Sequence, residues 1–212
     1  MEYLEAILLG IPMTIAVTVV SFVIGMVLAV FLTLGTTAKP PLVRGLARAL
    51  IDVFRGIPPV VFLFIIFFGL GNELGRMSPF TAAVIGLGLI SAGHLAESYR
   101  GGLSAIHRGQ FEASSALGLN GTDTMTRVIA PQAVRVALPS MTTYAISLLK
   151  DSSIVSTIGV AEIMFVANQT ARSSADGLMP FFIAAAIYIL LGLPLAWITK
   201  RIESRLHSRI SR

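Results

Sequence analysis

The sequence predicts an all-α integral membrane protein folded as one unit, and three observations carry that prediction. Of its 212 residues 55% are hydrophobic and only 13% charged, with a mean hydropathy of +0.82. Soluble domains carry about 25% charged residues, so lipid suits this surface better than water. The apolar residues also come in runs long enough to cross a bilayer, which takes about 20 residues rising about 1.5 Å each. Finally, Lys and Arg gather in alternate connections between those runs, the bias that orients membrane helices.

No charge interrupts residues 6–38, which places a first span at about 7–34. The chain opens Met1-Glu-Tyr-Leu-Glu5 without the basic start of a signal peptide, so this run is expected to remain as a membrane helix. The uncharged stretch 56–72 is short for a span. The amphipathic stretch 42–55 is expected to extend it as a tilted helix, giving a second span over about 42–72. Gly56, Pro58 and Pro59 should kink or break it between the halves. A third span covers about 77–105, its apolar part broken only by His94. A fourth, about 124–150, has a polar end at Lys150 and Asp151 that is expected to be buried in protein. A shorter broken helix over about 153–171 follows, and a fifth span covers about 177–202.

Five spans put the termini on opposite sides. Lys39, Arg44 and Arg48 lie in the first connection, Arg108, Arg127 and Arg135 in the third, and Lys200, Arg201, Arg205, Arg209 and Arg212 in the tail. Only Arg76 and Arg172 fall in the second and fourth. The positive-inside rule then sets the N-terminus outside and the C-terminus in the cytoplasm. Topology therefore accounts for the net charge of +5, and the scatter of basic residues among apolar runs argues against nucleic acid as a partner. With no cysteine there are no disulfides or thiolate metal sites.

A transporter either carries its energy source or borrows one. The phosphate-cradling loop G-x-x-x-x-G-K-[ST] needs Lys after Gly, whereas the lysines here follow Ala38, Leu149 and Thr199. No metal-binding spacing or nucleophile constellation is visible, so the chain is not expected to be an enzyme itself. The third connection reads Gly109-Gln-Phe-Glu-Ala-Ser-Ser-Ala-Leu-Gly118. It predicts a short helix over about 111–118 lying outside the bilayer, stopped by Gly118 in a left-handed cap. Asn120-Gly121 should then turn the chain, with Thr122 capping the next helix. Taken alone, this pattern also fits an ordinary connecting helix.

Glu112-Ala-Ser-Ser-Ala-Leu-Gly118, continuing to Ile129-Ala-Pro131, resembles the EAA loop of ABC importer permeases. More narrowly, the chain resembles the polar amino acid uptake family of histidine, glutamine and arginine-type permeases. The stretches that carry this are Phe54-Arg-Gly-Ile-Pro-Pro59, Ala96-Glu-Ser-Tyr-Arg-Gly-Gly102, Pro131-Gln-Ala-Val-Arg135, Leu148-Leu-Lys-Asp-Ser-Ser-Ile154 and Ile158-Gly-Val-Ala-Glu162. They lie in order over most of the chain. Ser114, Ala130, Thr143 and His94 depart from the usual pattern.

The resemblance implies a type I ABC importer transmembrane domain in the bacterial inner membrane. It implies that the loop helix couples to one of two cytoplasmic ATPase subunits, which bind the ATP and Mg, while this chain holds no cofactor. Glu112 is the charged contact it implies, with Ala113 and Gly118 permitting docking. A second permease, identical or a sister chain, and an extracytoplasmic amino-acid-binding protein complete the implied assembly.

Charged groups at membrane depth are costly, so each is paired or functional. His94, Glu97 and Arg100 are three residues apart and share a helix face. Two readings stand: a structural Glu97–Arg100 pair with His94 as neighbour, or a zwitterion site. In the second, Glu97 takes the ammonium and helix ends around Gly56 offer backbone donors to the carboxylate. Lys150 and Asp151 diverge around their helix and need partners elsewhere, in a second subunit or at Arg55 or Glu162. The candidate pathway set is thus Arg55, Gly56, His94, Glu97, Lys150, Asp151, Ser152 and Glu162. Gly88, Ala92 and Ala96 recur every fourth residue, a lane suited to close helix packing. The rival function is a secondary transporter or channel with its charges as ion relays, which leaves the loop helix unexplained.

Overall fold

The computed structural model describes residues 2–71, 77–174 and 177–210, with side chains for 3–71, 77–174 and 177–204. Arg76, Arg212 and the side chains of Arg205 and Arg209 lie outside those bounds. Among the described residues the protein is all helix. α1 (Glu2–Leu8) and α2 (Ile11–Thr36) are joined at Gly10. α3 (Pro41–Gly56) and α4 (Pro59–Phe64) follow, α4 running into a π-helical turn over Ile65–Leu70. α5 (Pro79–Ser104) and the short α6 (Arg108–Ala116) come next. A helical run from Gly121 widens to π geometry over Thr124–Ile129 and becomes α7 (Ala130–Asp151), which tightens to 3-10 geometry over Ser152–Ile158. α8 (Ile163–Ser173) and α9 (Met179–Ile210) complete the chain.

Three uninterrupted stretches are long and apolar enough to cross a membrane: Tyr3–Thr36, Pro79–Ser104 and Met179–Ser204. Two bent pairs raise the number to five if each is one span. The first pair, Pro41–Gly56 with Pro59–Leu70, bends by 105°. The expected tilted extension is therefore a helix set almost square to its continuation. Ile57 precedes Pro58 and is pushed to the extended region (ψ 130°), so the helix cannot pass through. Arg44 and Arg48 lie on α3, within the helix expected over 42–55. The second pair bends by 51° at Gly159, whose φ of +90° is left-handed. The broken helical segment expected over 153–171 is present as a 3-10 continuation of α7 and, past the break, a separate α8.

Small residues set how closely the helices approach. A Cβ on Gly25 would sit 2.3 Å from the Ser91 side chain, and one on Gly88 would sit 2.8 Å from Ile24. These contacts lock α2 against α5, where Ala92 and Ala96 are fully buried, so the predicted lane is a packing surface. The main core runs through Val17, Leu63, Ile66, Leu87, Ile90 and Val155. A separate cluster of Ile7, Ile163, Ala167, Ala184 and Ile187 holds α1, α8 and α9 together.

A polar knot joins the two. Glu162, fully buried, caps α8 by accepting the Phe165 N–H at 2.7 Å, and the Tyr188 hydroxyl of α9 donates to its other oxygen. Thr14 of α2 accepts the Ile163 N–H at 3.2 Å and donates to Gly10 O at 3.1 Å. The knot satisfies a carboxylate that would otherwise be stranded in an apolar interior.

Candidate functional site

α3, α5 and α7 line an open cavity of about 570 Å³. Its α7 wall is a stripe, Ser140, Thr143, Tyr144, Ser147 and Asp151, repeating every three or four residues. Its α5 wall is His94, Glu97, Ser98 and Gly101, and α3 contributes Arg55. The His94 ring stacks on Tyr144 with centroids 4.8 Å apart, and the Tyr144 hydroxyl shares a 3.0 Å hydrogen bond with Ser91. A second cavity of about 500 Å³ adjoins it toward the ends of α2 and α5, with Thr36, Thr37, Arg48, Arg100 and Ser104 in its wall. Glu97 and Gly101 line both.

Glu97 is already engaged. The Arg100 guanidinium donates to one of its oxygens, and Arg55 stands 4.0 Å from the other. The Glu97–Arg100 pair of the first reading is therefore present, and Glu97 is not a free acceptor for an ammonium. Asp151 faces the cavity with no salt bridge among the described residues, and Arg55 presents a guanidinium to the same space. One cavity thus holds an uncommitted carboxylate and a guanidinium that shares Glu97 with a second one.

Four expected pathway residues lie elsewhere. Lys150 is exposed and outside the cavity wall, and among the described residues it makes no salt bridge with Glu162, nor Asp151 with Arg55. Ser152 is fully buried and donates to Leu149 O at 2.7 Å. Glu162 is bound into the knot described above, because a helix N-terminus supplies the donors its carboxylate needs. Gly56 also lies off the cavity. At the break beside it Pro58 and Pro59 have no N–H, and those of Ile57 and Phe62 bond to Val53 O and Pro58 O, which leaves the Val60 and Val61 N–H groups in the first turn of α4 as its donors. Sequence reasoning missed Tyr144, Ser140 and Ser147, although their spacing from Asp151 along one face was readable.

The outlying helix α6 begins at Arg108, three residues earlier than expected, with the His107 ring accepting the Gly109 N–H at 3.1 Å. Gly118 closes it at φ +73°, and the Leu119 N–H reaches back to Ser114 O at 3.1 Å, which is the expected left-handed cap. The following helix is capped by Asn120 rather than Thr122: its Oδ1 accepts the Asp123 N–H at 2.9 Å. The helix therefore starts two residues earlier than a Thr122 cap would place it, and no separate turn precedes it. Ser114 faces inward, and Gln132 Nε2 donates to Gln110 Oε1 at 3.1 Å, tying α6 to the start of α7. Glu112, Ala113, Leu117 and Gly118 are left exposed, Leu117 to 79%.

Membrane-length helices around a polar cavity, with a capped helix outside the bundle, define a transport permease domain. The chain belongs to the family of binding-protein-dependent transport system inner membrane components, whose family model matches residues 21–208. It is 38% identical over 205 residues to the arginine transport system permease protein ArtQ of Bacillus subtilis, covering 95% of this chain and 93% of that one. It is 33% identical to the L-cystine transport system permease protein TcyL of the same organism, covering 100% and 91%. Its fold matches a crystal structure of an amino acid ABC transporter with histidines at TM-score 0.88 and 32% identity, covering 96% and 95%. The inward-facing MetNI methionine ABC transporter matches at TM-score 0.76 and 19% identity, a likeness of fold.

Proposed function

We propose that this chain is the membrane subunit of an ATP-driven, binding-protein-dependent importer of polar amino acids. The observation that carries the reading is α6: a capped helix with Glu112, Ala113, Leu117 and Gly118 exposed, tied through Gln110 and Gln132 to the helix that forms one cavity wall. A partner that moves α6 therefore moves α7. The arginine and cystine permeases similar to this chain support amino acids as the cargo. The partner at α6 is a cytoplasmic ATPase, two per complex, binding ATP and Mg. A second permease, identical or a sister, closes the cavity's open side. The N-terminus lies outside, where the binding protein delivers cargo, and the C-terminus lies in the cytoplasm.

A zwitterion in the cavity meets complementary poles. Arg55 receives the carboxylate, since Glu97 is shared with Arg100 and leaves Arg55 valence to spare. Asp151 receives the ammonium. His94 and Tyr144 form an aromatic shelf for the side chain. Closing the ATPases draws the α6 helices together and exchanges access from one side to the other.

Gly118→Val tests the coupling. A β-branched residue is strained at φ +73° and disrupts the cap. The variant is expected to lose ATPase co-purification while the permease still melts cooperatively. Full association with normal transport removes α6 as the contact.

A further inference from the structure

Two glycines adjoin near the end of α5, and only one has a packing reason. A Cβ on Gly102 would sit 2.3 Å from Ala133 O of α7, so nothing larger fits. A Cβ on Gly101 would meet nothing within 4 Å, and the residue is exposed. Glycine inside a helix costs stability relative to alanine, so position 101 carries a cost that packing within this chain does not explain. Its φ is not left-handed either. What distinguishes it is place: with Glu97, one turn earlier on the same face, it lines both cavities.

We infer that Gly101 is the aperture through which the amino acid passes from the cavity of Arg55, His94 and Asp151 to the cavity of Arg48 and Arg100. This rests on the importer reading above. Any side chain at 101 projects into the join between the two spaces. Glu97 forms the other edge of the join, and its two guanidinium neighbours fall on opposite sides: Arg55 lines the first cavity and Arg100 the second. A zwitterion moving through therefore leaves one guanidinium for the next, while Glu97 between them stays paired. Gly101 is in this account a positioning residue that keeps the route open by having no side chain.

The test uses the intact complex of permease, ATPase and binding protein in liposomes, with a radiolabelled mixture of L-amino acids outside and ATP inside. Gly101→Ala adds a single methyl at the join and is expected to slow uptake by less than Gly101→Leu does. Gly101→Leu is expected to keep ATPase association and binding-protein-stimulated hydrolysis while uptake falls by about tenfold or more, the factor that a modest added barrier brings. The chain has no cysteine, so Gly101→Cys places the permease's sole thiol at the join. That variant is expected to keep reduced uptake, which a bulky methanethiosulfonate reagent then abolishes, with the wild-type complex unaffected. Normal uptake by Gly101→Leu, or by the labelled Gly101→Cys complex, overturns the inference. So does dissociation of the paired permeases in Gly101→Leu, which would make Gly101 a contact between subunits. A wild-type complex that takes up no amino acid with ATP instead defeats the importer reading itself.

Discussion

Replacing Gly102 by alanine should destabilise the chain, and the same change one residue earlier should not. The new methyl at 102 would stand 2.3 Å from Ala133 O and 3.1 Å from both Ala133 C and Ala137 Cβ. Carbon–oxygen contacts settle near 3.3–3.6 Å even when they are attractive, so α5 and α7 must part by about 1 Å. Overpacking of this kind costs about 1–3 kcal/mol, and alanine's better helix propensity returns about 1 kcal/mol. The net expectation for Gly102→Ala is a loss of up to about 2 kcal/mol, whereas Gly101→Ala keeps the propensity gain of about 0.5–1 kcal/mol. Reversible unfolding of the detergent-solubilised chain, followed by helix signal, reads both. Opposite signs support the packing account. A stabilised Gly102→Ala, or two variants that shift together, refutes it.

The remaining predictions concern the knot, the cap and the poles. Tyr188→Phe and Glu162→Gln, combined in a double-mutant cycle, should show a coupling energy of about 1 kcal/mol, the upper part of the range for hydrogen bonds between membrane helices, and strict additivity would mean that the knot is not a unit. Asn120→Ala removes the side chain that accepts the Asp123 N–H at 2.9 Å. It should cost about 1 kcal/mol locally, seen as faster amide exchange over 121–124, with unchanged exchange counting against the cap. Arg55→Met and Asp151→Asn should each lower maximal uptake by about tenfold or more, the loss of one charge-assisted hydrogen bond, at unaltered affinity of the binding protein. Full uptake in both would remove the poles.

Much of this fold was legible because lipid imposes a length and an apolar composition on every span. Pro58 and Pro59 announced the break, and Gly118 announced the end of α6. The size of the first bend was not legible: a Pro pair says that a helix stops, while 105° follows from how α3 packs, with Gly93 of α5 letting Phe54 and Arg55 come close. At the site, the Glu97–Arg100 pair follows from spacing along one helix, and so was visible. Glu162 was misplaced because its charge attracts attention, while its partner Tyr188 stands 26 positions away and gives no local signal. Lys150 was grouped with Asp151 by adjacency, yet neighbours on a helix face different ways, and only Asp151 reaches the cavity. Thr122 yielded to Asn120 because both are good caps, and sequence alone does not fix which residue takes the first free N–H.

The central claim is that this permease imports amino acids with energy taken from a separate ATPase through α6. The most direct measurement is uptake of radiolabelled L-amino acids by the complex reconstituted with its ATPase and binding protein, with ATP inside the liposomes and no ion gradient. The account predicts uptake that requires hydrolysable ATP and disappears with Gly118→Val in the permease. Uptake by the permease alone, driven by a proton or sodium gradient and indifferent to ATP, would contradict it.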